Sequence, residues 1–267
     1  MVIRLVQVTT TVTLLLVGLL VCGTSDALAQ SQWKTLTDRA YINVNGAFQG
    51  TSDTAFAETL TETLYGEPAT YELKNGLSIG GSTFDVGFGA RVWSNVAAGL
   101  SISSVTTLSS LSATGTVPHP LFYNRPRNNV TYQDSDLSQS NNNAYHVQFS
   151  WFVPLSDDFD VAIFAGPSFF TIDHRRGTLP VSIENSGTLL NNAVMTKLAT
   201  QTSSGSATGV NAGIDATYHL MEFMGAGIGA GVMVRWSSGS VDLATASGTQ
   251  SVDAGGVQIA IGARLRF

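Results

Sequence analysis

Apolar and polar residues alternate with a period of two along most of this chain, and no stretch shows a helical period of comparable quality. Eight segments carry the pattern. The first, Tyr41 to Gln49, sets Ile42, Val44, Gly46 and Phe48 against Tyr41, Asn43, Asn45, Ala47 and Gln49. The second, Phe84 to Trp93, opposes Phe84, Val86, Phe88, Ala90 and Val92 to Asp85, Gly87, Gly89 and Arg91. Val96 to Ile102 and Tyr145 to Val153 follow, the latter with Tyr145, Val147, Phe149 and Trp151 facing away from His146, Gln148, Ser150 and Phe152. Phe159 to Phe169, Val210 to Leu220 and Phe223 to Trp236 continue the series. The last runs from Gly255 to Phe267, with Val257, Ile259, Ile261, Ala263, Leu265 and Phe267 on one face and Gln258, Arg264 and Arg266 on the other.

Such alternation predicts strands with one apolar and one polar face. The joints between them are unequal in an ordered way. Trp93 to Asn95, Pro154 to Asp158 and Met221-Glu222 are short, whereas residues 50 to 83, 103 to 144, 170 to 209 and 237 to 252 are long. Tight turns at one end and long connections at the other predict an all-β, antiparallel, up-and-down transmembrane barrel of eight strands, with short periplasmic turns and long extracellular loops. Residues 54 to 75 complicate the count. Phe56, Glu58, Leu60, Glu62 and Leu64 alternate with Ala57, Thr59, Thr61 and Thr63, Gly66-Glu67-Pro68 offers a turn, and Ala69 to Leu73 offers a return. We expect a hairpin that extends the barrel beyond the membrane; ten strands are the alternative. Pro167 lacks the N–H that a ladder needs, so it is expected near the end of the spanning part.

A soluble barrel would show the same period with its apolar face turned inward. Three features favour the inverted arrangement. The polar faces are rich in glycine, they carry charges of both signs in mid-strand, and aromatic residues gather near the ends of the apolar faces, at Phe48, Trp93, Tyr145, Trp151, Tyr218, Trp236 and Phe267. Composition points the same way. Charged residues make up only 12% of the chain, about half the usual share of a soluble domain.

The beginning of the chain bears on compartment. Arg4 precedes an apolar run from Thr11 to Cys22, and Ala27-Leu28-Ala29 supplies the small-x-small pattern of a signal-peptidase site, with Ala27 and Ala29 as the small residues. Residues 1–29 are read as a cleaved signal peptide and 30–267 as the barrel domain. A transmembrane helix is the other reading, but the run falls short of the roughly 20 residues that a bilayer core demands. Cys22 raises a lipoprotein alternative, against which stands Val21 in place of a small residue. Loss of Cys22 leaves the mature chain without disulfides, so closure of a barrel has to satisfy the backbone. A net charge of -6 gives no reason to expect a nucleic-acid partner.

With these residues in view, the mature chain resembles the outer-membrane protein β-barrel domain family, the small-barrel class of OmpA-, OmpX- and OmpW-like proteins. The stretch Val86-Gly87-Phe88-Gly89-Ala90-Arg91-Val92-Trp93-Ser94-Asn95-Val96-Ala97-Ala98-Gly99-Leu100 is similar to that family's strand, turn and returning strand, with Ala90 where an aromatic is common. Leu265 and Phe267 resemble the family's C-terminal signature. The resemblance implies a bacterial, Gram-negative outer-membrane location, outer-membrane lipid as surroundings, and recognition by the barrel-assembly machinery through the last strand.

Candidate chemistry is sparse. Asp85, Arg91, Asp160, Asp215, Arg235, Arg264 and Arg266 fall on the polar faces and form a lumenal charge network, read as a plug because about eight strands enclose an interior that side chains fill. His146 and His219 share that face, with Ser150 and Asp215 nearby in sequence. An acyl hydrolase would need nucleophile, base and acid within hydrogen-bond reach, which spacing alone does not supply. No catalytic, cofactor-binding or metal-binding residues are assigned, and the chain is read as a non-enzyme with a structural or surface-interaction role. A passive channel for small, apolar solutes is the alternative, and a lipid-modifying enzyme a further one. The stretch Pro118 to Arg127, with Phe122, Tyr123, Arg125 and Arg127, is either an external docking surface for an unknown partner or a loop packed over the barrel mouth.

Overall fold

The computed structural model describes residues 39–156, 158–245 and 248–267. The leader expected at 1–29, with Ala27 and Ala29, lies outside them. Eight antiparallel strands follow one another around a closed barrel: β1 (Ala40–Leu64), β2 (Glu67–Trp93), β3 (Val96–Pro118), β4 (Pro126–Pro154), β5 (Phe159–Ser186), β6 (Asn192–Phe223), β7 (Ala226–Thr245) and β8 (Gly248–Arg266). β8 returns to β1 from Tyr41↔Arg266 to Gln49↔Gln258, which closes the ring. At that end Phe267 donates its N–H to the Ala40 carbonyl and accepts from Ala40 in return.

The face assignment follows the inverted pattern. Ile42, Val44, Phe84, Phe88, Ile163, Val234, Ile259 and Ile261 point outward and are exposed, Ile261 to 68%, while Asn45, Asp85, Asp215 and Arg264 point into the lumen and are buried. In water such an exterior would be strongly unfavourable. In a bilayer it is the ordinary solution.

Strand length is where the structure departs from the sequence pattern. A spanning strand needs about 9–11 residues, yet β6 has 32 and β4 has 29. Apart from the tips, the described residues of the long connections expected as loops are strand, and the fold rises well beyond a single membrane thickness. Residues 54–64 pair with 67–77 as the hairpin anticipated beyond the membrane, so the barrel keeps eight strands rather than ten.

The physical reason, plainest on β2 and β3, is an inversion of hydrophobic phase within the strand. On β2 the odd-numbered side chains face inward throughout. Below they are Asp85, Gly87 and Gly89, whereas above they are Ala69, Tyr71, Leu73, Leu77 and Ile79, with Asn75 the one polar residue among them. The even-numbered side chains change from Phe84, Val86 and Phe88 to Thr70, Glu72 and Lys74. β3 inverts likewise, from Ser101 and Ser103 inside to Val105, Leu111, Ala113 and Val117 inside. The change falls beside Gly80, Gly81, Gly255 and Gly256, all with positive φ, and beside a register shift between Gln49 and Ser52. Glycine suits these irregular backbones because it has no Cβ to clash.

Above this level the fold has a hydrophobic core of the ordinary water-soluble kind. Phe56, Leu77, Ile79, Phe170, Ile172, Val241, Leu243 and Val252 pack in one cluster, and Tyr71, Leu73, Leu111, Val130, Met195 and Leu198 in a second, farther from the membrane end. β1 and β8 no longer pair there, so side-chain packing joins the extension across that seam.

Turn positions also shift. The β6–β7 turn lies at Met224-Gly225 (φ 52° and 81°), not at Met221-Glu222, and the β1–β2 turn lies at Tyr65-Gly66 (φ 53° and 82°), one residue before the expected Gly66-Glu67-Pro68. Both have the two left-handed residues of a tight hairpin turn, with Met or Tyr where Asn or Gly is usual.

Candidate functional site: a plugged lumen

Alternation delivers the lumenal groups, since every second residue of a strand points inward. Asp85 on β2 receives Arg235 on β7 at 2.8 Å, Ser101 Oγ at 2.6 Å and Asn45 Nδ2 at 2.9 Å. Arg235 also donates to Ser101 Oγ and to its cross-strand neighbour Gln258. Asp215 on β6 accepts two N–H groups of Arg264 on β8 at 3.0 and 2.9 Å. Arg235 is 1% exposed and Arg264 0%, so neither guanidinium reaches water. Charges desolvated to this degree survive only when paired and hydrogen-bonded.

Asn45 joins the two ion pairs. It donates to Asp85 and accepts from Arg264 Nη1 at 2.6 Å. Toward the short-turn end, Asn43 donates to Asp215 at 3.3 Å and accepts from Arg266 at 3.3 Å. Arg266 approaches Asp160 at 4.0 Å, and His219 Nε2 lies 2.7 Å from the other Asp160 oxygen. Arg266 stacks over Tyr41 and Phe152, each at 5.2 Å, and Arg91 also lies over the Phe152 ring, at 4.9 Å. Six of the seven charges expected in the network are thus joined by ion pairs or asparagine bridges, and Arg91 adjoins them through Phe152.

Asn43, Asn45, Ser101 and Gln258 are the members that pattern reading did not single out. Their only signal was lumenal parity, which they share with the charged residues. Glycines leave the room the plug requires: a Cβ on Gly231 would lie 2.7 Å from Arg264 Nε, and one on Gly213 would meet the Phe164 ring at 2.5 Å. The space left among Tyr41, Asn43, Asp85, Ser101, Phe152 and Arg266 is about 20 Å³. That is room for about one water molecule.

Neither histidine is bonded to the Ser150 or Asp215 that share its face. His146 contacts Ser168 Oγ at 2.7 Å and Ser103 Oγ at 3.4 Å, and Ser150 is not among its partners. His219 meets Asp160, while Asp215 is engaged by Arg264. Among the described residues no group of three or more His, Cys, Asp or Glu side chains is placed to hold a metal.

One stretch of the wall is irregular. β4 and β5 pair at His146↔Ser168 and again at Phe149↔Ala165, but not between, where Pro167 has no N–H to give. Asn211 of β6 fills the break, directing Nδ2 to the carbonyls of Gly166 (3.0 Å) and Pro167 (3.1 Å) and to Ser168 Oγ (2.9 Å). Pro167 stands one outward position below Phe169, close to the upper edge of the apolar band.

No family model matches the chain, and no curated protein matches it. Among solved structures it is similar to the outer membrane protein OprG from Pseudomonas aeruginosa, at 12% identity and TM-score 0.39, over 86% of this chain and 96% of that one. It is also similar to the outer membrane protein AlkL, at 11% identity and TM-score 0.35, over 89% and 94%. The β domain of the Bordetella autotransporter Brka matches at 11% identity and TM-score 0.26, over 86% and 98%.

Proposed function

We propose that the mature chain is an integral bacterial outer-membrane barrel with a structural or surface-interaction role and no catalytic function. It is exported through the leader at residues 1–29, surrounded by outer-membrane lipid, and handed to the assembly machinery through the strand that ends at Leu265 and Phe267. The observation that carries this reading is the apolar exterior wrapped around the sealed Asp85–Arg235 and Asp215–Arg264 pairs. Such a lumen supports weight rather than flow, and the strands above it raise a β-structure into the medium. The test has two arms. Detergent-folded protein should change its gel mobility on boiling, and planar bilayers containing it should show no reproducible open state. A protein that is monomeric and water-soluble without detergent would refute the membrane assignment, while steady conductance would refute the sealed lumen.

The break between β4 and β5 favours a second reading, passage of a small apolar solute through the wall. Its ladder is interrupted within the apolar band, and one side chain, Asn211, bridges the interruption. Faster uptake of an alkane probe into proteoliposomes by an Asn211→Ala variant would favour this reading over the structural one.

A further inference from the structure

At the far end of the molecule three hairpin tips are tied into one surface. The β1–β2 tip is Tyr65-Gly66, the β3–β4 tip spans His119 to Arg125, and the β5–β6 tip spans Gly187 to Asn191. Asn124 N–H donates to Glu67 at 2.9 Å, and Asn185 Nδ2 donates to Tyr65 Oη at 3.0 Å. Arg127, itself buried, donates to Asn185 Oδ1 at 2.6 Å, Leu190 O at 2.9 Å and Pro118 O at 3.0 Å. His119 is buried too, and its Nδ1 accepts from the Leu121 and Phe122 N–H groups. The tips therefore form a preorganised platform rather than separate loops.

What this platform shows to solvent is apolar and aromatic. Tyr65, Leu121, Phe122, Tyr123 and Leu189 are all exposed, Tyr123 to 84%. Two of them, Tyr65 and Leu189, are held at φ 53° and 57°, a left-handed conformation that disfavours a bulky side chain. At these two positions a large apolar side chain is presented outward by a backbone that holds it in place at the tip. Beside them the exposed Arg125 places its guanidinium over the Phe122 ring at 5.6 Å.

We infer that this platform binds a polypeptide segment that presents apolar side chains next to a carboxylate. The inference deepens the surface-interaction reading above and rests on it. Aromatic residues and arginine are the types that dominate protein-recognition hot spots, and a stacked guanidinium is suited to a carboxylate. Size argues against a second copy docking tip to tip. The five side chains expose roughly 500–600 Å², below the roughly 800 Å² per partner of a stable interface.

The test uses the full mature barrel in nanodiscs and short synthetic peptides in which Leu and Trp are flanked by Glu, or by Lys in the control series. Glu-flanked peptides should bind, and Lys-flanked ones should bind at least about tenfold more weakly. The Tyr123→Ser/Leu189→Ser variant should lose binding to both series, and Arg125→Gln should abolish the difference between them. Absence of binding, equal binding of both series, or stronger association with phosphatidylglycerol vesicles or an oligosaccharide would overturn the inference, as would self-association lost in the variant. The heat shift on gels, unchanged in these variants, separates failure of the platform from failure of the barrel.

Discussion

Arg264 reaches from β8 to β6 and places two of its N–H groups on a single oxygen of Asp215, at 3.0 and 2.9 Å, with no water access to the guanidinium. Removing either partner leaves the other as an uncompensated buried charge. Asp215→Ala should therefore cost about 3–5 kcal/mol, and Arg264→Met a comparable amount. The double variant Asp215→Leu/Arg264→Met should recover most of that loss, because it removes both desolvated charges together. Urea-unfolding midpoints in lipid vesicles would decide; additive losses would contradict the pairing.

His174 stands in the extension above the membrane band, buried between Phe56 and the Arg176–Glu58 ion pair. Burial, and secondarily the nearby Arg176 charge, lowers its pKa from 6.5 to about 4. Above pH 6.5 the ring is neutral in both folded and unfolded chains. Between about 6.5 and 4 the unfolded chain binds a proton that the folded one refuses, so His174 makes stability fall as pH falls and adds no further loss below about 4. Measured from pH 7 to 4, the unfolding midpoint of the wild type should decline more steeply than that of His174→Phe. Parallel curves would show that the ring is solvated.

The wall beside Pro167 predicts a local pattern of hydrogen exchange. Val147, whose N–H and carbonyl face β5, lacks a ladder partner there and should exchange faster than Tyr145 or Trp151, whose pairings are regular. Asn211→Ala should enlarge that difference without altering exchange at Ile214 or Val234, which pair elsewhere in the sheet. Uniform protection along β4 would mean that the ladder is unbroken in solution.

Arg127 pins the far platform through acceptors on three segments of chain. Arg127→Met keeps much of the side-chain volume but gives up those charge-assisted bonds, for a local loss of about 3 kcal/mol. Limited proteolysis should then cut within 119–125 and 187–191 while the remaining strands stay intact. If the tips resist protease as well as in the wild type, they are held by packing alone.

The membrane band was legible because its residues repeat one simple rule. Phe84, Val86 and Phe88 against Asp85, Gly87 and Gly89 is alternation that no helix produces, and the same holds for the strand ending at Phe267. The upper halves of the strands were harder to read. On β3 the apolar side turns inward at Val105, Leu111, Ala113 and Val117, and a reader following one phase sees the rule stop and infers a loop. Charged lumenal residues could be assigned a face but not a partner, since Asp85 and Arg235 are 150 residues apart and meet only through barrel closure. The turn at Met224-Gly225 was misplaced because Met gives no turn signal. Asn45, central to the plug, resembled any other polar residue until its two charged neighbours were in place.

The reversal of side-chain character along β2, with no change in which residues face inward, makes the depth of immersion a property of chemistry rather than of backbone shape. Ser82 and Ser104 stand on the outer wall just beyond Phe84 and Ile102, like a waterline painted on a hull. A leucine at each would let lipid climb one rung higher, and the tower above would sit correspondingly lower over the cell surface.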